Sequence, residues 1–297
     1  MTTSRMSLSR SARGAALTLA LAGITVPAAA VPASPAEPQS RACAAASAPY
    51  AVGTTTLRTR SRGASLQITV AYPATSNGEN AKPVCRASHL VVAGHGSGGD
   101  GPSAARLHTY LVQQGYVVAA PTFASGYDFG GYTEDVSRTI TKVKRSSRTG
   151  GGVLAGRVKD KAEVGYIGTS MGGILGLALV DRDGRDKRIG AVVSKAGTAM
   201  GGSFQGAGGP PLLMINGNAD TVISYDDARQ SYRRVARPKG FITLDRVGHD
   251  LNTGGDPILV ESSAGFFDRY LRGRKAGVRE IQKSVGDSRI ATLRSAW

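Results

Sequence analysis

Gly168-Thr169-Ser170-Met171-Gly172 stands between a short apolar run, residues 164–167, and a run of helical character, residues 171–180. A G-x-S-x-G pattern arises by chance, but between a strand and a helix it describes a nucleophile elbow. The serine then occupies a tight turn, and the flanking glycines remove side chains that would collide with neighbouring backbone. Its hydroxyl projects at the carboxyl edge of a sheet, beside a helix N-terminus that favours developing negative charge. The implied chemistry is attack by Ser170 on a carbonyl carbon. The plainer alternative is a glycine-rich turn with a structural serine.

A serine hydroxyl needs a base at neutral pH, and the base needs an orienting acid. Of the 4 histidines only His249 follows Ser170, in Val247-Gly248-His249-Asp250. In the order serine, acid, histidine, the acid lies between them. Asp220 sits in the loop after a strand over 211–216 and is the preferred candidate. Asp183 and Asp186 fall in a charged surface turn, and Asp226 and Asp227 at a helix start, where they would cap. Asp245 falls inside the strand expected before His249, and Asp250 is too near His249 in sequence. An acyl-transfer site also needs oxyanion donors. The backbone N–H of Met171 is one, and that of Ser97, in Gly94-His95-Gly96-Ser97-Gly98-Gly99, the other. His95 is expected to shape that loop, and His89 and His108 to be ordinary strand and helix residues.

These residues need a scaffold, and the pattern supplies one. Strands are expected over 50–57, 65–72, 89–93, 116–120, 164–167, 189–194, 211–216 and 241–247. Helices are expected over 102–114, 133–143, 171–180, 225–236 and 257–271. Strands alternating with helices predict an α/β fold, a mostly parallel eight-stranded sheet covered on both faces, with an antiparallel start. No composition break interrupts 49–272, so this is expected to be one domain, and 273–297 a basic, weakly periodic C-terminal tail.

Composition supports a globular chain: 297 residues, 41% hydrophobic, with 40 Gly spread without a collagen-like period. The net charge of +16 raises nucleic-acid binding, but the cations are scattered and no basic run is interleaved with aromatics. Arg5, Arg10 and Arg13 precede an uncharged apolar run, residues 14–26, followed by Ala28-Ala29-Ala30 and Val31-Pro32-Ala33. That is the layout of a secretory signal over 1–33, cleaved after Ala30 or Ala33. The run is too short to span about 30 Å of hydrocarbon. Its removal takes three positive charges and leaves +13. Residues 34–48, rich in Ala, Pro and Ser, read as a flexible leader. In an oxidising compartment Cys43 and Cys85 are expected to pair, the alternative being two free thiols. Two cysteines are too few for a four-thiolate zinc site.

With these landmarks in place, the chain resembles the α/β-hydrolases, and among them the dienelactone-hydrolase-like and platelet-activating-factor-acetylhydrolase-like group, which includes cutinase-like polyester hydrolases. The resemblance rests on His95-Gly96-Ser97-Gly98-Gly99, Gly115-Tyr116-Val117-Val118, Asp135-Val136 and Leu154-Ala155-Gly156-Arg157-Val158. It continues through residues 168–173, Asp220-Thr221-Val222 and Gly248-His249, in order over about 65–272. It implies a Ser-His-Asp carboxylic ester hydrolase (Ser170, His249, Asp220) with no metal or cofactor. Thr169 departs from the His or Trp of many relatives, which bears on substrate preference, and the cysteine nucleophile of true dienelactone hydrolases is absent.

Many lipases insert a cap between the strand after the elbow helix and the acid-bearing strand. Here residues 195–210 are too short to fold into one. An open site is expected, suited to short-chain or polymeric esters, with Met171, Tyr127 and Phe129 near its mouth, the last two from the loop after 116–120. The expectation is thus a secreted, monomeric esterase with no nucleic-acid partner and no membrane span. A serine peptidase of the same fold, and a non-catalytic binding protein on that fold, are the competing readings.

Overall fold

The computed structural model describes residues 43–181, 186–201 and 208–297, which all fall in one compact unit. The expected cleavage sites, the leader before Cys43 and Asp183 lie outside the described residues. The chain enters through a hairpin of β1 (Ala51–Ser61) and β2 (Ala64–Ala74), paired antiparallel from Ala51↔Ala74 to Ser61↔Ala64. Its two turn residues, Arg62 and Gly63, both have positive φ (49° and 80°). That backbone twist matches the twist of the flanking strands.

After a two-residue strand β3 (Gly78–Glu79) come β4 (Leu90–Gly94), helix α1 (Ala105–Gln113), β5 (Val117–Pro121) and helix α2 (Phe129–Arg148). The second half runs β6 (Val164–Thr169), α3 (Met171–Val180), β7 (Ile189–Lys195), β8 (Leu212–Gly217), α4 (Tyr225–Arg234), β9 (Lys239–Leu244) and α5 (Ile258–Tyr270). It closes with α6 (Ala276–Asp287) and β10 (Ala291–Ala296). All pair into a sheet of order β10-β9-β8-β7-β6-β4-β5-β2-β1-β3, parallel from β5 to β9 and antiparallel at β2 and β10.

Successive strand residues face opposite sides of a sheet, and the core divides accordingly. Val92, Ala119, Tyr166, Val192 and Met214 face α2, α3 and α4. Val91, Val118, Ile167, Val193 and Leu213 face α1, α5 and α6. Buried on both faces, the central strands read as apolar runs without alternation, which made them visible in the sequence.

The sheet has ten strands rather than the eight expected. Both additions are edge strands without a continuous apolar run. β3 has only two residues, and β10 has a mixed pattern with no fully buried position. The expected basic tail is folded. α6 presses Gly277 and Ile281 against Gly265 of α5, and Trp297 stacks near Phe266 and Tyr270. The contact is made by few residues, so the apolar period stayed weak while Arg279 and Lys283 point outward. The leader is also anchored from Cys43 onward: a Cys43–Cys85 disulfide is present, and the Ala44 and Cys85 backbones exchange bonds with the 83–85 strip and with Ala44.

Helix α2 begins four residues earlier than expected. Asp128 caps it by accepting the Gly131 N–H at 2.9 Å, and Arg62 pairs with Asp128 at 2.7 Å and Asp135 at 2.8 Å. The Gly130-Gly131 pair read as loop because helix propensity penalises it; the cap and the ion pairs override that penalty. Phe129 is therefore a first-turn helix residue, not a loop residue.

Candidate active site

The strand order changes direction at β4: β5 lies on one side of it and β6 on the other. Ligands in open α/β sheets bind beyond the carboxyl ends of the strands at such a switch point. The loops leaving β4 and β6 there carry His95–Gly99 and Ser170.

Ser170 joins β6 to α3 with φ 56° and ψ −118°. A positive φ on a residue with a side chain costs about 1–3 kcal/mol and persists only where its surroundings enforce it. The enforcement is visible. The Ser170 N–H donates to the Lys195 carbonyl at 2.9 Å, and its carbonyl accepts the Ile174 N–H at 2.8 Å. A Cβ on Gly168 would strike the Gly172 carbonyl, and one on Gly172 would strike the carbonyl of Gly94. The buried Tyr166 hydroxyl donates to the Gly172 carbonyl at 2.8 Å. The two glycines thus let α3 start directly against the ends of β4 and β6.

His249 Nε2 lies 2.8 Å from Ser170 Oγ, and its Nδ1 lies 2.8 Å from Asp220 Oδ2. The Asp220 carboxylate is wholly shielded from solvent, and its other oxygen accepts the N–H groups of Val222 (2.8 Å) and Ile223 (2.9 Å). A carboxylate only accepts, so the imidazole proton sits on Nδ1 and Nε2 is left to accept from the serine hydroxyl. The rival acids are placed elsewhere. Asp186 pairs with Arg188, Asp226 and Asp227 open α4, Asp245 bonds Asn218 and Arg246, and Asp250 accepts the Asn252 N–H.

Met171 is the first residue of α3, so its N–H is one of the groups a helix leaves without an internal acceptor. Gly96 lies against Ser170: a Cβ there would be 3.5 Å from the serine Cβ. His95 organises this loop. Its Nε2 accepts the Phe123 N–H at 2.9 Å, which puts the proton on Nδ1, and Nδ1 donates to the Gly96 carbonyl at 2.7 Å. The Gly99 N–H donates to the same carbonyl at 3.1 Å. A trans peptide points its N–H away from its carbonyl, so these bonds set the direction of the Ser97 N–H.

Tyr127 reaches this loop, its hydroxyl 3.3 Å from Ser97 Oγ. Phe129 is half-buried between Tyr127 and Tyr132, with ring centroids at 6.5 and 5.9 Å. Thr169 is the last, partly exposed residue of β6. Sequence reasoning missed Met200 and Val222. With Tyr127 they are the exposed large hydrophobics among the described residues, at 62%, 66% and 70% exposure. All three sit on loops beyond carboxyl ends of parallel strands; Val222 lies two residues past Asp220.

The other two histidines are set apart from this site. Burial, with the charges of Lys159, Arg272 and Arg86, pulls His89 down to about 4, and burial with Lys195 does the same to His108. Among the described residues no group of His, Cys, Asp or Glu could hold a metal ion, and no helix is long and apolar enough to cross a membrane. No family model matches the chain, and no curated protein matches it.

Proposed function

We propose that the protein is a secreted serine hydrolase of the α/β-hydrolase fold, cleaving carboxylic esters through an acyl-enzyme. One observation carries this: the continuous chain Asp220–His249–Ser170, with both contacts at 2.8 Å, ending on a serine held at φ 56°. Ser170 Oγ attacks the ester carbonyl while His249 Nε2 takes its proton. Asp220 holds the imidazole and stabilises the imidazolium. The tetrahedral oxyanion is held by the N–H groups of Met171 and Ser97. Collapse expels the alkoxide, which takes the proton from His249, and leaves the acyl group on Ser170. Water then repeats the sequence, with His249 as its base, and releases the carboxylic acid.

The apolar residues Tyr127, Met200 and Val222, exposed on the loops of this edge, favour an acyl or polymer segment over a polar peptide. The disulfide suits export, because such bonds persist in oxidising compartments. A chromogenic short-chain ester assayed beside a peptide anilide tests the proposal. Ester turnover without anilide turnover is expected. Preference for the anilide would make the protein a peptidase, and no turnover of either would leave a binding protein on this scaffold.

A further inference from the structure

Lys195 ends β7 on the sheet face opposite its neighbour Ser194, whose hydroxyl bonds to the Gly173 carbonyl of α3 at 2.8 Å. Its side chain therefore enters the α1–α5 layer, where it is only 7% exposed. A buried ammonium is ordinarily paired. Yet Lys195 Nζ has no hydrogen-bond acceptor and no carboxylate partner among the described residues. Burial alone pulls it down to about 8, so at neutral pH it still carries most of its charge.

Lys195 lines a cavity of about 260 Å³ whose walls do not include Ser170, His249 or Asp220. Its other walls are the start of α1, with Arg106 and Leu107; the loop after His249, from Leu251 to Asp256; and Leu259 of α5. Ala104 to Leu107, the first turn of α1, are part of this wall and no side chain caps it, so the partial positive charge of that helix end lies at the cavity. The one carboxylate on the wall, Asp256, is already engaged by the Ile258 N–H (2.9 Å) and the Ser288 hydroxyl (2.6 Å). Against that single engaged acid stand Lys195, Arg106 and a helix N-terminus, beside a lining of leucines. The volume lies below the roughly 300 Å³ at which drug-sized sites begin.

We propose that this cavity is a binding site for a short-chain carboxylate, its headgroup paired with Lys195 and its alkyl chain against Leu107, Leu251 and Leu259. The site is separate from the Ser170 chemistry and stands or falls without it. Because its outer wall is the segment that follows His249, occupancy would also hold that segment in place.

Calorimetric titration of the full-length purified protein with sodium hexanoate, at constant ionic strength and pH 7, tests this. Saturable binding is expected, weakened at least ten-fold in Lys195→Met and also in Leu259→Phe, which narrows the cavity but keeps the amine. Hexanol, which has the chain without the charge, should bind at least ten-fold more weakly. If Lys195→Met does not fold, Leu259→Phe decides alone. No saturable binding, equal affinity in the folded variants, or equal affinity for hexanol would overturn the site; equal affinity in the variants would place the carboxylate at Ser170 instead.

Discussion

Asp220 and His249 lie 29 residues apart in sequence and are joined by a 2.8 Å hydrogen bond, because the loops that carry them are laced together. The Asn218 N–H donates to the Leu244 carbonyl at 3.0 Å and the Ala219 N–H to the Val247 carbonyl at 3.1 Å. The Arg246 N–H returns a bond to the Asn218 side chain at 2.6 Å. The loops after β8 and β9 thus behave as one element, and the acid and base it carries arrive at Ser170 already paired.

That relationship predicts how the three residues fail. Ser170→Ala and His249→Ala should each lower kcat by several orders of magnitude while the fold is kept, since they act as a unit. Asp220→Asn should be milder, at about 10⁴-fold or less, because an amide still accepts from Val222 and Ile223 but presents the wrong group to Nδ1. Circular dichroism beside steady-state kinetics separates lost chemistry from lost structure. A His249→Ala protein with unaltered kcat would remove the base from the account.

The disulfide should be worth measuring as a tether. It closes a separation of 42 residues, and in the loop-entropy picture such a bridge contributes roughly 3–4 kcal/mol. Thiol titration of the unfolded, unreduced protein should find no free thiol. The Cys43→Ala/Cys85→Ala protein should unfold at lower denaturant by about that free energy. Two free thiols in the parent would contradict the bridge.

Lys195 predicts a stability that depends on pH in an uncommon direction. Its folded pKa, about 8, is below the 10.5 of an unhindered lysine. Between those values the unfolded chain holds a proton that the folded chain has released, so this group's contribution to stability rises with pH. Below 8 both states are protonated and the burial cost is present in full, at about 3 kcal/mol. Lys195→Met should therefore be more stable than the parent at pH 7, and the difference should shrink as pH rises from 8 toward 10.5. His108 on α1, which feels the Lys195 charge, is held at about 4 and stays neutral across that window. A constant difference across that range would show that the amine is solvated.

The parts of the fold that sequence made legible are those that bury both faces or obey strict local chemistry. The central strands are apolar throughout, and the helix over 171–180 was expected with its observed bounds. Ser170, Asp220 and His249 were legible because each ends or follows a recognisable strand. What was hidden depends on contacts between distant residues. α6 and β10 are held by Gly277 on Gly265 and by Trp297, and the start of α2 by Arg62 from the β1–β2 turn. Met200 and Val222 are single apolar residues in polar loops, and only the arrangement of strand ends gives them a common setting.

The most direct test is to trap the acyl group. A slowly turned-over ester mixed with the protein and quenched in acid should leave one acyl adduct, located by peptide mass spectrometry on Ser170. The adduct should be absent from Ser170→Ala and should accumulate at a sharply reduced rate in His249→Ala. An adduct on another residue, or ester hydrolysis by Ser170→Ala at the parent rate, would contradict the proposed mechanism at its centre.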